Sequence, residues 1–343
     1  MRNILLILRK PNFLLKLLPL VAFAVPFVWL YLLEPVTFEA MWKGRTFQLF
    51  FIWLVGLELI LDWEKMQTNK LSKILSARTA AFATTLLLPT LYVAASYYWG
   101  LNSAIMGWAS QNHIMWADSM PLSTEYLVFA MLFGLMVSLS SGFKGLKTFS
   151  VPIFFLALVG AIYTIDNIFP YGQFTPFQIF VPTTTALAAG ILNLLGYTTS
   201  IAYEQSSSQG NMPVLTATNH LGASATYSIA WPCAGIESFL IFTVVILLFL
   251  KRTSITLKSK LGFFVFGAII TYVINAFRIV EIFQIGANGG NIDMFHFYYG
   301  PLPAVIWIVL YPLIILGSLS LWRKIRKPAK RATESQFPSL NPA

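Results

Sequence analysis

Residues 301–322 read PLPAVIWIVLYPLIILGSLSLW and contain no charged side chain. At 1.5 Å per residue, a helix of this length is about 33 Å long, which matches the roughly 30 Å hydrocarbon layer of a bilayer. The whole chain shares this character, because 57% of its 343 residues are hydrophobic and only 10% are charged. The composition predicts an all-α polytopic membrane protein and excludes a soluble domain built around one water-facing surface.

Seven further stretches are apolar enough to cross a membrane, so we predict a helical bundle of about eight transmembrane helices. A ninth hydrophobic stretch, residues 177–198, is less regular. Its segment 183–194 carries three threonines and Asn193, which favours an interfacial or re-entrant position. The eight predicted spans are 13–33, 46–62, 79–99, 124–141, 149–166, 236–250, 261–282 and 301–322.

The lysines and arginines predict the orientation of these spans, because cytoplasmic loops retain basic residues. All but three of the 23 basic residues fall on one side of the eight-span arrangement, and the exceptions are Lys43, Arg45 and Arg278. This bias predicts that both termini are cytoplasmic. It also explains most of the net charge of +10 as a topology signal, so we expect no nucleic-acid partner.

The spans divide the chain into four predicted regions. Residues 1–166 form an N-terminal five-span region, and residues 167–232 form an extracytoplasmic or interfacial segment. Residues 233–322 form a three-span core, and residues 323–343 form a cytoplasmic basic tail. Within the extracytoplasmic segment, stretches rich in threonine, tyrosine and branched residues predict short strands. These stretches are 200–203, 214–218 and 225–229, and the low-complexity run 205–210 predicts an exposed turn between them.

Familiar catalytic signatures are missing from the sequence, including the phosphate-binding loop, HExxH, GxSxG and any second cysteine. The predicted topology nevertheless brings several polar residues to the outer face. Cys233, the only cysteine, begins the sixth span; Asn275 and Arg278 lie near the outer end of the seventh; and His296 precedes the eighth. We interpret this convergence as a candidate active site.

Each candidate residue also has an alternative explanation in which it serves only the fold and not catalysis. A free cysteine is often a small buried hydrophobe, but a thiol at a helix N-terminus beside a cation is expected to have a lowered pKa. For Arg278 the structural alternatives are snorkelling to the interface and pairing with Glu281. Because an arginine within an apolar span is costly, a functional role is the default hypothesis. Sequence alone does not choose among His113, His220 and His296 as the participating histidine.

These residues resemble the exosortase/archaeosortase family of membrane-embedded cysteine transpeptidases. That family carries a Cys-(Ser/Ala)-Gly motif, an Asn-x-x-Arg motif and a later histidine or second arginine, in this order. The matching segments here are 233–235 (Cys-Ala-Gly), 275–278 (Asn-Ala-Phe-Arg) and 296–300 (His-Phe-Tyr-Tyr-Gly). The resemblance covers about the C-terminal half of the chain. One departure is Glu237, which stands where the family usually has a polar or basic residue.

The resemblance implies an enzyme of the plasma or inner membrane with its active site on the extracytoplasmic face. Cys233 would be the nucleophile, Arg278 would stabilise the thiolate or the oxyanion, His296 would shuttle protons and Asn275 would orient the site or the substrate. The implied substrates are surface proteins that end in a recognition motif, a hydrophobic span and a basic tail. The implied reaction proceeds through a thioester to a lipid or surface acceptor, without a metal or another cofactor.

Three other classes of protein remain open from the residues alone. A transporter or channel would use the intramembrane charges Glu58, Arg278 and Glu281. A glycosyltransferase acting on a lipid-linked sugar would need an external carboxylate, and the candidates are Asp118, Asp166 and Asp293. A non-enzymatic scaffold would tolerate substitution at all of the candidate residues.

Overall fold

The computed structural model describes residues 11–40, 43–61, 77–169, 178–206, 210–300 and 302–326. The chain forms two compact units. The first contains Met1–Pro176 with Ser207–Gly210, and the second contains Phe177–Ser206 with Asn211–Ala343.

The described part of the first unit is helical. Its fifth helix is interrupted at Gly142, where φ is 63° and ψ is −154°, and the predicted span 124–141 ends at this interruption. The helices are α1 (Pro11–Leu33), α2 (Thr46–Leu61), α3 (Ala77–Tyr98), α4 (Leu101–Gln111), α5 (Met120–Thr148) and α6 (Ser150–Ile168), with short 3₁₀ turns at Pro35–Phe38 and Ala117–Ser119.

Interlocking phenylalanine rings form the core of the first unit. The ring of Phe23 in α1 meets those of Phe51, Phe129 and Phe133 edge to face, with centroids 5.5 to 5.6 Å apart. All four side chains are fully buried. Because edge-to-face pairs add about 0.5–1.5 kcal/mol each beyond the burial of their area, this cluster holds α1, α2 and α5 together.

A buried charge network joins the loop before α2 to α5. Arg45, only 5% exposed, donates from Nε and Nη2 to both carboxylate oxygens of Glu125 at 2.8 and 3.0 Å. Its Nη1 also donates to Glu34 at 2.6 Å, and Gln48 Nε2 donates to Glu125 Oε1, the same oxygen that Arg45 Nε contacts. A bidentate pair supported by further hydrogen bonds offsets the desolvation of the two charges.

A second ion pair lies in the same loop. Lys43 Nζ is 2.8 Å from Asp166 Oδ2 and 4.0 Å from the centroid of the Trp116 ring. Lys43 and Arg45, two of the three exceptions to the charge bias, therefore both have carboxylate partners within the first unit. Their presence on the predicted outer side is explained by these partners.

The described part of the second unit contains four helices and a small sheet. The elements are α7 (Phe180–Leu194), β1 (Thr198–Ser206), β2 (Gly210–Thr218), β3 (Ser224–Ser228), α8 (Ile236–Arg252), α9 (Leu257–Ala287) and α10 (Leu302–Arg326). The helices α8, α9 and α10 enclose a core of buried side chains that includes Phe242, Ile246, Tyr311 and Ile315. A 3₁₀ turn at Trp231–Ala234 precedes α8, and a helical turn at Ile292–Met294 runs into a π-helical segment, Phe295–Tyr299.

The sheet has the strand order β1-β2-β3 and packs one face on the end of α9. On that face Leu215 and Ala225 are buried, and the ring of Tyr227 lies 5.2 Å from that of Phe283 in α9. The other face carries polar side chains, with the hydroxyls of Thr216 and Thr226 2.9 Å apart.

Six helices in the described part of the chain are long and apolar enough to cross a membrane. They are α1, α3, α5, α6, α9 and α10, so the chain is an all-α polytopic membrane protein, as predicted. Two other predicted spans also form helices, but α2 and α8 have only 16 and 17 residues. The count of eight spans and the cytoplasmic termini stay predictions, as do the four region boundaries.

The predicted strands are confirmed by β1, β2 and β3, although each strand begins earlier than the sequence suggested. The helix α7 has 15 residues and is about 22 Å long, short of a full crossing. The middle of the predicted turn 205–210 and most of the basic tail lie outside the described residues. Sequence reasoning missed α4, an 11-residue helix between α3 and α5.

We expect Glu125→Ala to lower the free energy of unfolding by about 3 kcal/mol, because it removes the bidentate counter-ion of the buried Arg45 and leaves only the partly exposed Glu34 to compensate its charge. Thermal unfolding of the detergent-solubilised protein measures the effect. Glu39→Ala is the matched control, because Glu39 is exposed in the same connection and we expect a change within about 0.5 kcal/mol. Equal stability of the two variants would contradict a structural role for the network.

Candidate active site

Cys233 lies in the short 3₁₀ turn Trp231–Ala234, between β3 and α8. Its backbone N–H donates to the carbonyl of Ala230 at 3.0 Å, and the fully buried Trp231 anchors the turn. Gly235 follows with φ of 91° and leads into α8, a conformation that side chains disfavour. The turn presents the Cys233 side chain, which is exposed, at the start of a helix.

Asn275 connects α9 to this turn. Its side chain is only 2% exposed, and Nδ2 donates to the carbonyl of Cys233 at 3.1 Å. The approach requires glycine at position 235, since a Cβ there would lie 2.6 Å from Asn275 Cγ. The Oδ1 atom of Asn275 is buried and has no hydrogen-bond partner in the described part of the chain.

Arg278 follows Asn275 by one helical turn and reaches the segment after α9. Its Nη2 donates to the backbone carbonyl of His296 at 3.3 Å. The side chain passes close to Gly300, where a Cβ would lie 3.0 Å from Arg278 Nε. Glu281 lies three residues after Arg278, and this spacing suggested an ion pair. The ion pairs found among the described residues do not include one between Arg278 and Glu281. The side chain of Glu237 lies outside the described residues.

His296 lies in the π-helical segment Phe295–Tyr299. The side chain of Asn291 caps the preceding turn, Ile292–Met294, by accepting a hydrogen bond from the N–H of Met294 at 2.9 Å. At the end of the π-helical segment, the N–H of Gly300 donates to the carbonyl of Phe295 at 2.7 Å. Both ends of the segment are therefore fixed, and the half-buried His296 is held beside Arg278.

The pKa of the Cys233 thiol is shifted in the direction opposite to the one predicted from the sequence. Burial by the surrounding protein raises the pKa of the thiol. A hydrogen bond between the thiol and the backbone of Ala230, and the charge of Arg278, oppose this rise only in part. The side chain is accessible to solvent, but protein around it still disfavours the charged thiolate. Sequence reasoning predicted a lowered pKa because it considered the helix N-terminus and the cation without the burial.

Burial and the charge of Arg278 lower the pKa of His296, while Asp293 acts in the opposite direction. The imidazole is therefore uncharged at pH 7 and able to accept a proton. Arg278 influences the pKa of both Cys233 and His296, which identifies it as a common neighbour of the two groups.

The structure brings Cys233, Asn275, Arg278 and His296 together within the second unit. His220 is exposed in the turn between β2 and β3, and His113 is exposed in the first unit.

The candidate carboxylates have separate surroundings. Asp293 affects the pKa of His296, whereas Asp166 is paired with Lys43. Glu58 is buried in α2, and Glu281 and Asp118 are exposed. Among the described residues, no group of three or more His, Cys, Asp or Glu side chains is arranged to hold a metal.

Comparison with known proteins gives one family. The profile described as transmembrane exosortase matches residues 41–315, a range that includes all four site residues. The chain belongs to the transmembrane exosortase family. Membership indicates a membrane-embedded sorting transpeptidase in general terms. No curated protein and no solved structure matched this exosortase.

Sequence reasoning missed the backbone carbonyl of His296 as a partner of Arg278. It also missed the role of two glycines, Gly235 and Gly300, which permit the close approaches of Asn275 and Arg278. The available signal was that each glycine closes a motif, since Gly235 ends Cys-Ala-Gly and Gly300 ends His-Phe-Tyr-Tyr-Gly.

We expect Gly235→Ala to destabilise the exosortase by about 1–3 kcal/mol, because the new Cβ is strained by the positive φ and would overlap Asn275. Thermal unfolding measures the loss. The matched control is Gly262→Ala, since Gly262 lies in α9 with open space around it. We expect no loss of stability there, and a comparable loss in both variants would contradict the close approach.

We expect Arg278→Ala to raise the pKa of the Cys233 thiol further, because it removes a charge that lowers this pKa. The rate of alkylation by iodoacetamide follows the thiolate fraction, so its pH profile should move to higher pH. Arg278→Lys keeps the charge and should move the profile less. An unchanged profile in Arg278→Ala would show that the cation does not act on the thiol.

Proposed function

We propose that this exosortase is a cysteine transpeptidase that cleaves C-terminal sorting signals of exported surface proteins through a thioester. The observation that carries the proposal is the chain of contacts from Cys233 through Asn275 and Arg278 to His296. One helix, α9, supplies two of these residues and holds the segments that carry the other two. A nucleophile, a cation and a base therefore occupy one side of the second unit.

The first step is attack of the Cys233 sulfur on a backbone carbonyl of the substrate. Because the thiol has a raised pKa, a base must remove its proton during the attack. His296 suits this role, since its lowered pKa keeps the imidazole uncharged at neutral pH. The attack forms a carbon–sulfur bond and places a negative charge on the carbonyl oxygen.

Arg278 supports the second part of the step. A fixed cation beside a developing oxyanion is effective in a poorly solvated site, where it needs no reorganisation. The tetrahedral species then collapses, the carbon–nitrogen bond breaks, and the proton held by His296 passes to the leaving amine. The product is a thioester on Cys233, with the substrate's hydrophobic span and basic tail released.

The second half of the reaction resolves the thioester. An amine or hydroxyl of a membrane lipid or surface polymer gives its proton to His296 and attacks the thioester carbonyl. The carbon–sulfur bond breaks, and His296 gives the proton it received to the leaving sulfur. Asn275 would orient the turn that carries Cys233, through the hydrogen bond to its carbonyl, or hold the substrate backbone. Resolution by water would release the trimmed protein instead of anchoring it.

The orientation in the membrane follows from the charge bias. With both termini cytoplasmic, the turn that holds Cys233 and the segment that holds His296 lie on the extracytoplasmic side, where exported proteins emerge. A multi-span protein can meet the hydrophobic span of its substrate laterally in the bilayer. The proposal therefore combines a substrate anchored in the membrane with an active site at its outer surface.

The test is Cys233→Ala in the native host, with the size and membrane release of surface proteins that end in a span and basic tail as the readout. We expect unprocessed precursors to accumulate. We also expect a membrane-impermeant maleimide to label the wild-type protein from outside. Normal processing by Cys233→Ala would falsify the nucleophile and would favour a transporter, or a glycosyltransferase dependent on an aspartate.

The three histidines provide matched controls for the proton shuttle. His296→Ala should lose most of the processing activity, by about 100-fold or more, as expected for loss of a general base. His113→Ala and His220→Ala remove exposed imidazoles and should process normally. Full activity in His296→Ala would withdraw the shuttle role from this residue while leaving Cys233 to be judged separately.

A further inference from the structure

The strand β3 leads directly to the candidate nucleophile. It ends at Ser228, five residues before Cys233, so the two positions are at most about 18 Å apart along the chain. The strand order β1-β2-β3 places β3 at an edge of the sheet. The backbone along this edge is therefore the part of the sheet nearest in sequence to the thiol.

The hydrogen-bond register identifies which backbone groups face outward. β2 and β3 are antiparallel, with Thr216 opposite Thr226. The N–H of Ile229 donates to the carbonyl of Pro213 at 2.9 Å, and the N–H of Asn219 donates to the carbonyl of Ala223 at 2.8 Å. These two bonded pairs bracket the ladder, and bonded pairs alternate with non-bonded ones in an antiparallel sheet.

Ala225 and Tyr227 therefore bond to β2, while the N–H and C=O groups of three residues of β3 point away from it. The three outward residues are Ser224, Thr226 and Ser228, and all three are exposed. β3 has neither charged residues nor proline (Ser-Ala-Thr-Tyr-Ser). Such residues are the usual means of preventing an edge strand from pairing with another chain.

We propose that the edge formed by Ser224, Thr226 and Ser228 binds the extended segment of the sorting signal as an added β-strand. This inference rests on the proposed function and names how the same site receives its substrate. Main-chain hydrogen bonds to an edge strand supply affinity without demanding one sequence. The inner face of β3 is fixed on α9 through Tyr227 and Phe283, so the edge is held by the helix that carries Asn275 and Arg278.

An added strand also predicts where the side chains of the bound peptide would lie. Alternate residues of the bound peptide would lie over the outer face of the sheet, beside the paired hydroxyls of Thr216 and Thr226. The peptide leaves the edge at Ser228 and continues toward Cys233. Recognition would then combine backbone pairing along β3 with side-chain selection close to the scissile bond.

The first test is disulfide crosslinking with the full-length enzyme in membranes. The enzyme carries Cys233→Ala and Thr226→Cys, and the probe is a precursor of a native-host surface protein with single cysteines placed successively before its hydrophobic span. We expect crosslinks at alternate positions, since successive residues of a strand point to opposite faces. The matched control replaces Thr226→Cys by Ser200→Cys on β1, about 10 Å away across two strand spacings, and should lack this pattern.

Crosslinks at consecutive positions, or none, would overturn the added strand. Crosslinks between two enzyme chains through Thr226→Cys would also overturn it, because the edge would then pair with a second copy. These readouts do not depend on catalysis, since Cys233 is absent. They therefore separate a failure of the docking edge from a failure of the proposed function.

The second test is Thr226→Pro, which removes the outward N–H without breaking a bond to β2. We expect precursor processing to fall about tenfold or more, while iodoacetamide labelling of Cys233 stays unchanged. Thr226→Val removes only the hydroxyl and should lose less. Normal processing by Thr226→Pro would overturn the docking edge but would not contradict the proposed transpeptidase function. Normal processing by Cys233→Ala would overturn both proposals.

Discussion

The hydrogen bond from Asn275 to the carbonyl of Cys233 is the contact on which the candidate site depends. It is 3.1 Å long and links a buried helix residue to the backbone of the turn that carries the thiol. Arg278, one helical turn further along α9, holds the carbonyl of His296 in the same way. Both contacts bind backbone rather than side chains, so they set the positions of the two chain segments that carry the thiol and the imidazole. A displacement of α9 would move both halves of the site together.

The two arginines that depart from the charge bias differ in whether a described carboxylate neutralises them. Arg45 is neutralised by a bidentate contact with Glu125 and a further contact with Glu34, so its charge is used in ion pairs that stabilise the fold. Arg278 forms no ion pair with a described carboxylate, and its buried Nε has no hydrogen-bond partner in the described part of the chain. A partly buried cation without a counter-ion attracts an anion more strongly than a fully exposed one. This is the property that the proposed role of Arg278, stabilisation of a thiolate or an oxyanion, requires.

The sequence predicted those features that are encoded in neighbouring residues. Long apolar runs predicted every helix that is long enough to span a membrane, and β-branched residues predicted the three strands. The order of three short motifs predicted which residues gather at the site. Contacts between distant residues left no such pattern: Arg45 and Glu125 are 80 positions apart, and α4 contains no long apolar run. The direction of the Cys233 pKa was wrong for a related reason, because it depends on how much protein surrounds the thiol.

The shifts at Cys233 and His296 together favour an uncharged resting pair. Burial raises the pKa of the thiol and lowers that of the imidazole, so neither group is ionised at neutral pH, and the nearby charge of Arg278 is not neutralised by a thiolate. In the proposed mechanism, negative charge develops beside Arg278 only when the thiol attacks, which concentrates the electrostatic stabilisation in the transition state rather than the resting enzyme. The charge of Arg278 also lowers the pKa of His296, so a protonated His296 is a stronger acid. In that mechanism the proton taken from Cys233 would be held weakly and would pass readily to the leaving amine, as cleavage of an amide bond requires.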